Sequence, residues 1–535
     1  MDKAKELARK IQEVQQLLQK QKVKAAATLL NELKENRPLD PNVLVLLGLA
    51  ALKQNDFTHA QEYLQQAINL DNQLSEAHFY LATLYFQLEQ FDKAIEQYQC
   101  VSSLDNSHYT AQMNLGLAFE SKWRYLEAKI IYEKMLLDDP EDVNVVLHLG
   151  NVCLKLGKAS DAIKHFEAGL ELAPKSIDLL NQLGWALFKA NQESRSKKCY
   201  HKVLSLKPGN VQALFLLSQQ HPYHDKAFPE TKALQEILGE EELANEDKIL
   251  AHFALGKIYD RSEYHERAFF HYEKANSICA QKQIFNEGEY VKKINKIREL
   301  FNANAIQQKR ILPDESKLKP LFIVGMSGSG KELLCDALGK HGSIAKMGAN
   351  KLLDELASKI VVNEDLFLKA DSETLQAYVN KYLDEISKLA LKNAPIVCDN
   401  MPDNYLYVGL IAVLFPDSPI IHCTRHPMDL CLANYFHFHG NENTYSHHLV
   451  TLGKYYQHYA KLMSYWQSIG VKNRLEVKYE ALIDKPGETL KLLFEALNLP
   501  PIEPHLVPRY YPYELDRWKK YQHYLQPLIE ILYNT

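Results

Sequence analysis

The chain has 535 residues, of which 46% are hydrophobic and 24% are charged, and its formal net charge at pH 7 is −5. This composition is typical of a globular protein of two to four domains, and the mild negative charge argues against nucleic acid or an anionic membrane as the main partner. The first residues contain no apolar segment of signal-peptide length, and no run approaches the roughly 18 apolar residues of a membrane-spanning helix. The eight cysteines are scattered without a C-x-x-C pair. We therefore expect a cytoplasmic protein with reduced thiols and no membrane span.

Small residues recur with a period of 34 in the N-terminal half, at Gly48, Ala82, Gly116, Gly150 and Gly184. A second small residue follows each of them by twelve positions: Ala60, Ala94, Ala128, Ala162 and Ser196. Bulky side chains are expected to wedge between the paired helices at Tyr63, Tyr98, Tyr132, Phe166 and Tyr200. Prolines at 140, 174 and 208 keep the same period, and each is expected to end the second helix of a unit.

This period and pattern resemble tetratricopeptide repeats, in which two antiparallel helices form each unit. A further unit lies at 253–276, a weaker capping unit surrounds Ala26, and the stretch 219–246 is irregular. Such an array is expected to present a concave surface to a protein or peptide partner. Support of the C-terminal domain alone is the alternative, and the sequence leaves both open.

A glycine-rich turn follows an unbroken apolar run at 320–324, which predicts a buried parallel strand. The seven residues 325–331 match G-x-x-x-x-G-K, the loop that wraps a phosphate with backbone amides and a lysine. The candidate anion-binding residues are Gly325, Ser327, Gly328, Ser329, Gly330 and Lys331. Glu332 occupies the position where nucleoside triphosphatases hold Mg²⁺ with Ser or Thr, which weakens the case for ATP or GTP hydrolysis. A plain glycine-rich turn is the alternative.

Two more strands are predicted, at 394–399 and 418–425, ending on Asp399 and Arg425. Ligands bind at the carboxyl ends of strands in open α/β sheets, and a guanidinium there can grip a phosphate with two donors. Arg425 is therefore a second candidate anion-binding residue. An ion pair with Asp429 is the alternative role for Arg425.

The stretches 396–440, 455–466, 475–486 and 517–528 resemble bacterial proteins that join tetratricopeptide repeats to a sulfotransferase domain, relatives of protein-tyrosine sulfotransferases. The resemblance implies an α-solenoid followed by an α/β P-loop domain with a parallel sheet. It implies sulfate transfer from 3′-phosphoadenosine 5′-phosphosulfate (PAPS) to a hydroxyl. The loop would bind the phosphosulfate, Arg425 the 3′-phosphate, and Tyr479 would lie near the adenine. The expected division is a repeat array at 1–285, a helical linker at 286–318 and the sulfotransferase-like domain at 319–535.

Several family positions are altered: Gly328 replaces an Arg, Lys331 and Glu332 replace two Thr, Ala349 replaces a Glu base, Asn400 replaces a Lys, and Ala433 replaces a Ser. The segment between Leu499 and Arg517 also looks shorter than in the family. These losses predict that transfer to a protein or peptide hydroxyl is weak or lost, which leaves a scaffold or nucleotide-binding role.

Two side chains remain as candidates for catalysis: Lys331 as a replacement cation and His426 as a replacement base, among the nearby His422, His437 and His439. The alternatives are an active sulfotransferase with a rearranged site and an ATP-binding phosphotransferase that uses Lys331. A metal site built from His437, His439, His447 and His448 is not expected, because no fixed ligand spacing supports one.

Overall fold

The computed structural model describes residues 2–36, 40–222, 228–282, 284–309, 311, 318–440, 442–507 and 515–533. The chain forms two compact units, residues 1–155 and 156–535. The first unit is helical, and its described helices are α1 (Asp2–Gln19), α2 (Val23–Asn36), α3 (Pro41–Lys53), α4 (Phe57–Leu70), α5 (Ser75–Gln87), α6 (Phe91–Leu104), α7 (Tyr109–Ser121), α8 (Tyr125–Asp138) and α9 (Val143–Lys155).

Repeat helices also open the second unit. They are α10 (Ala159–Leu172), α11 (Ile177–Lys189), α12 (Glu193–Leu206), α13 (Val211–Gln219), α14 (Thr231–Leu238), α15 (Asn245–Arg261) and α16 (His265–Lys282). The predicted irregular stretch contains the short helix α14. The tetratricopeptide array predicted from the 34-residue period is confirmed.

The periodic small residues allow the two helices of a repeat to touch. A Cβ added at Gly116 would lie 2.4 Å from Tyr132, and one added at Gly184 would lie 2.5 Å from Tyr200. In the first repeat, Leu64 and not the predicted Tyr63 covers Gly48, because the wedge position falls sixteen residues after the small one. The spacing of sixteen residues, and not the presence of an aromatic ring, therefore determines which side chain packs against the small residue.

The second small position is buried completely in each repeat that was predicted to have one. Ala60, Ala94, Ala128 and Ala162 have no exposed surface. Ser196, which replaces alanine in the fifth repeat, donates a hydrogen bond to the Gly184 carbonyl at 2.7 Å. Its hydroxyl is thereby satisfied inside the core, as burial of a polar group requires.

Two helices, α17 (Glu287–Leu300) and α18 (Ala303–Lys309), lie in the predicted linker. The structured part of the next domain begins with strand β1 (Lys319–Val324). The predicted domain boundaries remain a prediction, and residues 310 and 312–317 lie outside the described part of the chain.

A five-stranded parallel sheet has the order β2-β3-β1-β4-β5, with β2 (Ile344–Lys346), β3 (Ile396–Asp399), β4 (Ile420–Thr424) and β5 (Arg474–Lys478). The α-helices around it are α19 (Lys331–Leu338), α20 (Leu352–Val362), α21 (Asp365–Leu368), α22 (Ser372–Leu389), α23 (Val408–Leu414), α24 (Pro427–Tyr435), α25 (Leu449–Ser468), α26 (Tyr479–Asp484), α27 (Pro486–Ala496) and α28 (Gln526–Tyr533). Short 3₁₀ helices include Pro402–Tyr407 and Arg517–Tyr524.

Both faces of the sheet are covered, as a parallel sheet requires. Leu321 and Ile323 of β1 face a core that includes Leu334 of α19 and Phe494 of α27. Phe322 points to the opposite face, where its ring contacts Tyr382 and Phe415. Strand β1 is therefore buried on both sides, which explains its continuous apolar sequence.

The last repeat packs against the domain that contains the sheet. The rings of Tyr272 on α16 and Phe436 after α24 stack with centroids 3.9 Å apart, and the Asn276 amide donates to the Tyr435 carbonyl at 2.8 Å. Arg517 forms a buried ion pair with Asp260 on α15. In the described residues, no helix is long and apolar enough to cross a membrane.

We predict that Gly184→Ala destabilises the protein by roughly 1–3 kcal/mol, because the new methyl group overlaps the Tyr200 ring. The matched control is Gly209→Ala, where an added Cβ meets nothing within 4 Å. Urea unfolding followed by circular dichroism measures both variants. Equal effects at the two glycines would contradict the packing role of Gly184.

We predict that Arg517→Met lowers the free energy of unfolding by about 3–5 kcal/mol, because it leaves the Asp260 carboxylate buried without its cation. Lys519→Met is the control, since Lys519 and Asp516 form an exposed pair worth about 0–1 kcal/mol. Denaturant titration of the full chain compares the two, and a loss for Arg517→Met no larger than the control would refute the prediction.

Candidate functional site

The glycine-rich loop lies between β1 and α19, at the carboxyl edge of the sheet. Gly325, Gly328 and Gly330 have φ angles of +148°, +79° and +95°, which L side chains rarely adopt. A Cβ at Gly325 would also lie 2.6 Å from the Cys423 carbonyl of β4. The first-turn amides of α19 have no partners within their own helix. The loop thus has the backbone form of an anion cradle.

Arg425 and Tyr479 both contact this loop or pack against it. The Arg425 guanidinium donates to the Gly328 carbonyl at 3.0 Å and stacks over the Tyr479 ring at 4.2 Å. Tyr479 packs so closely that a Cβ at Gly330 would lie 2.6 Å from its ring. Strand β4 ends at Thr424, so Arg425 lies one position beyond the strand that was predicted to end on it.

The two loop serines differ in their surroundings. The Ser327 carbonyl accepts a hydrogen bond from the Asn434 amide of α24 at 2.7 Å. The Ser329 amide donates to the Met326 carbonyl, while its side chain is buried. Within the described part of the chain, the Ser329 hydroxyl has no hydrogen-bond partner.

Lys331 points towards the end of β3. It is 7% exposed, and its ammonium donates to the Pro402 carbonyl at 3.2 Å. Burial lowers the Lys331 pKa to about 8, although Asp403, Cys423, Asp399 and Glu332 oppose the shift. The ammonium is therefore mostly charged at neutral pH and lies beside the turn that contains Asn400.

The turn after β3 is fixed by Asp399. Its carboxylate accepts hydrogen bonds from the Tyr382 hydroxyl at 2.5 Å, the Met401 amide at 3.1 Å and the Asn404 amide group at 2.7 Å. Burial raises the Asp399 pKa, while these donors oppose the shift. With three donors already bound, Asp399 has a structural role in holding the turn.

His426 begins α24 on the other side of the loop. Its backbone amide donates to the Glu480 carboxylate at 2.8 Å, and its ring stacks on Trp518 with centroids 5.6 Å apart and planes 7° apart. Asp429, the suggested ion-pair partner of Arg425, accepts the backbone amides of Asp516 and Trp518. Burial raises the Asp429 pKa, and the Arg425 charge is among the effects that oppose this shift. The ring of His426 is therefore held by packing against the C-terminal segment.

The other histidines are in separate settings. His422 bonds to the Tyr459 hydroxyl at 2.7 Å, and burial lowers its pKa to about 4. His439 bonds to the Asn434 carbonyl, and burial lowers its pKa to about 3. Among the described residues, no group of three or more His, Cys, Asp or Glu side chains could hold a metal ion.

Sequence reasoning missed three groups around the loop: Asn434, Glu480 and Asp403. Asn434 and Glu480 fix the loop and the start of α24 through backbone hydrogen bonds. Their partners are more than fifty residues away in the chain, so no local pattern marks them. Asp403 was visible in the run Asp399–Asp403, but only the turn geometry shows that it is exposed beside Lys331.

Comparison with known families gives the same architecture. A model described as "Sulfotransferase family" matches residues 320–504. Residues 320–504 form a sulfotransferase-family domain. Tetratricopeptide-repeat models match 81–136, 143–176, 177–210 and 249–282, and a model of anaphase-promoting complex subunit 3 matches 19–101. The chain therefore joins tetratricopeptide repeats to a sulfotransferase-family domain.

The similar proteins found by sequence comparison are distant relatives of this chain. A protein of Aquifex aeolicus (strain VF5), described only as uncharacterized, is 23% identical over 71% of this chain and 53% of its own length. BBSome complex member bbs-4 of Caenorhabditis elegans is 24% identical over 36% of this chain and 44% of its own length. The chain thus spans about half the length of these two relatives.

Two solved structures are similar to part of this chain. YrrB, described as a TPR protein with an unusual peptide-binding site, is 15% identical, with a TM-score of 0.32 over 35% of this chain and 95% of its own. A MamA protein structure is 19% identical, with a TM-score of 0.31 over 32% of this chain and 94% of its own.

We predict that the stability cost of Lys331 depends on pH. Its native pKa of about 8 lies below the value of about 10.4 in an unfolded chain. Between these values the unfolded state binds more protons, so stability rises with pH, while the full cost is present below pH 8. The unfolding free energy of the native protein should therefore rise relative to Lys331→Met by roughly 3 kcal/mol from pH 7 to about pH 10.5.

Urea unfolding at several pH values measures this difference. Lys519→Met, at an exposed lysine, is the control and should show a difference that is flat with pH. A pH-independent offset for Lys331→Met would refute the buried-ammonium prediction.

Proposed function

We propose that the sulfotransferase-family domain binds PAPS or its product adenosine 3′,5′-bisphosphate in the loop 325–331, and that ordinary sulfate transfer to a protein or peptide hydroxyl is weak or lost. The observation that carries the proposal is the convergence of the loop, Arg425 and Tyr479 at one edge of the sheet. Loop amides and a guanidinium suit phosphates, and an aromatic ring beside them suits a base.

The weakness of transfer rests on which side chains stand at the site. Gly328 has no side chain to place a cation, Ala349 has no carboxylate to act as base, and Asn400 has no charge. In other enzymes, loss of one oxyanion donor reduces the rate by roughly 10²–10³, and general acid–base groups contribute roughly 10²–10⁴. Because several such losses occur in one site, we expect the domain to bind the nucleotide well but to transfer sulfate poorly.

The repeats have a separate proposed function, which is to bind a protein or peptide. Tetratricopeptide repeats suggest protein–protein interaction, and we propose that a protein or peptide, rather than nucleic acid, binds their concave surface. The partner would be brought to a nucleotide-binding domain in the cytoplasm, so the chain would act as a scaffold or nucleotide sensor. No metal is required by this proposal.

We predict that calorimetric titration with adenosine 3′,5′-bisphosphate gives a micromolar Kd, which Arg425→Ala weakens about tenfold or more by removing the charge that faces the phosphate. Arg195→Ala is the matched control, because Arg195 is exposed and pairs with Glu167. ATP is titrated in parallel.

Each outcome separates the candidates. Absence of bisphosphate binding up to millimolar concentration would reject the nucleotide role and leave the repeats as the working part. Binding of ATP alone would favour a phosphotransferase that uses Lys331. Rapid sulfate transfer would show an active sulfotransferase with a rearranged site and would overturn the claim of weak transfer.

A further inference from the structure

A second polar centre lies beside the loop, on the turn after β3. In the 3₁₀ helix Pro402–Tyr407, residues 404–407 are buried, whereas Asp403 is exposed to solvent. The hydrogen bonds of Asp399 to Met401 and Asn404 fix this turn and so fix the direction of Asp403. Within the described part of the chain, Asp403 itself makes no hydrogen bond or ion pair.

Several charged groups act on Asp403. Lys331 of α19 donates to the carbonyl of Pro402, the residue before Asp403. Asp354 of α20 and Lys293 of α17, whose charged atoms are 3.8 Å apart, also act on Asp403. Asp354 also accepts a hydrogen bond from the Tyr407 hydroxyl. Asp354 is therefore occupied, and Asp403 is the carboxylate that remains available.

The surroundings of Asp403 combine exposure to solvent with nearby charged groups. Its side chain is open to water, yet dehydration by surrounding protein raises its pKa, and Asp354 raises it further. Lys293, Lys331 and Lys351 lower the same pKa. Asp403 is therefore an exposed carboxylate on which three lysines act, and a small hydroxyl compound can reach it from solvent.

Two positions near this turn have no charged side chain. Asn400, on the same turn, is neutral, and Ala349 has no carboxylate. The cation comes instead from Lys331, and the carboxylate comes from Asp403. Strand order separates this pair from His426, since β3 and β4 lie on opposite sides of β1.

We propose that Asp403 and Lys331 act together as the base and the cation of a slow sulfate transfer to a hydroxyl that approaches the turn after β3. Asp403 takes the hydroxyl proton as the acceptor oxygen forms a bond to sulfur. The bond between sulfur and the bridging oxygen breaks, its electron pair stays on the 5′-phosphate, and the Lys331 ammonium neutralises that charge. The inference rests on the proposed nucleotide binding and explains how transfer is weak without being absent.

The test measures release of adenosine 3′,5′-bisphosphate from PAPS by the full chain, with water alone and with 2-naphthol as a phenol probe. Asp403→Asn is expected to lower kcat by about 10²–10⁴ and to remove the acidic limb of the pH–rate profile. Lys331→Met is expected to lower kcat by about 10²–10³. Asp403→Glu should restore part of the rate. The calorimetric Kd for bisphosphate should change by less than about twofold in Asp403→Asn.

The control variant is Asp365→Asn, which removes an exposed carboxylate paired with Lys369. If the native protein binds bisphosphate but consumes PAPS with neither acceptor, the inference is overturned and the proposed function stands. If the native protein binds no bisphosphate, the proposed function fails and the inference fails with it. An unchanged kcat in Asp403→Asn, or a loss of rate matched by a loss of bisphosphate binding, also overturns the role of Asp403 as base.

Discussion

Parallel hydrogen bonding of β1 to both β3 and β4 is the constraint on which the site depends. Phe322 is the pairing partner of Asp399 on one side and of Ile420 on the other. Because every strand runs in the same direction, the loop after β1, the turn after β3 and Arg425 after β4 all emerge at one edge. The groups that define the site are separated by about a hundred residues of sequence, and strand pairing alone brings them together.

The two cations at this edge of the sheet already donate hydrogen bonds within the protein. Arg425 donates to a carbonyl of the loop itself, and Lys331 donates to a carbonyl of the neighbouring turn. Each such bond has a charged donor and is worth roughly 1.5–3 kcal/mol net, so an anion that displaces one must form a bond of similar strength in its place. The site is therefore organised before a ligand arrives, and its affinity will depend on how many of these bonds the ligand replaces.

The last repeat and the sheet domain share one folded unit within residues 156–535. Helix α16 packs against α24, the helix that starts directly after Arg425 and His426. The buried pair Asp260–Arg517 holds the C-terminal segment, and Trp518 of that segment stacks on His426. A buried pair is costly to break once one partner is removed, so the repeat contributes to the stability of the region around Arg425.

The sequence alone determined the repeats and the anion loop, because both are local. The 34-residue period reflects contacts between successive helices, and the glycines of 325–330 reflect backbone angles that other residues avoid. The apolar run of β1 likewise reflects burial on both faces. Only the tertiary structure shows that Leu64 rather than Tyr63 covers Gly48, and that the Lys331 ammonium donates to the Pro402 carbonyl. It also shows that the Asp399 carboxylate is fully hydrogen-bonded, while Asp403 is exposed to solvent. These outcomes depend on which distant segments meet, and that is set by sheet order and packing rather than by neighbouring residues.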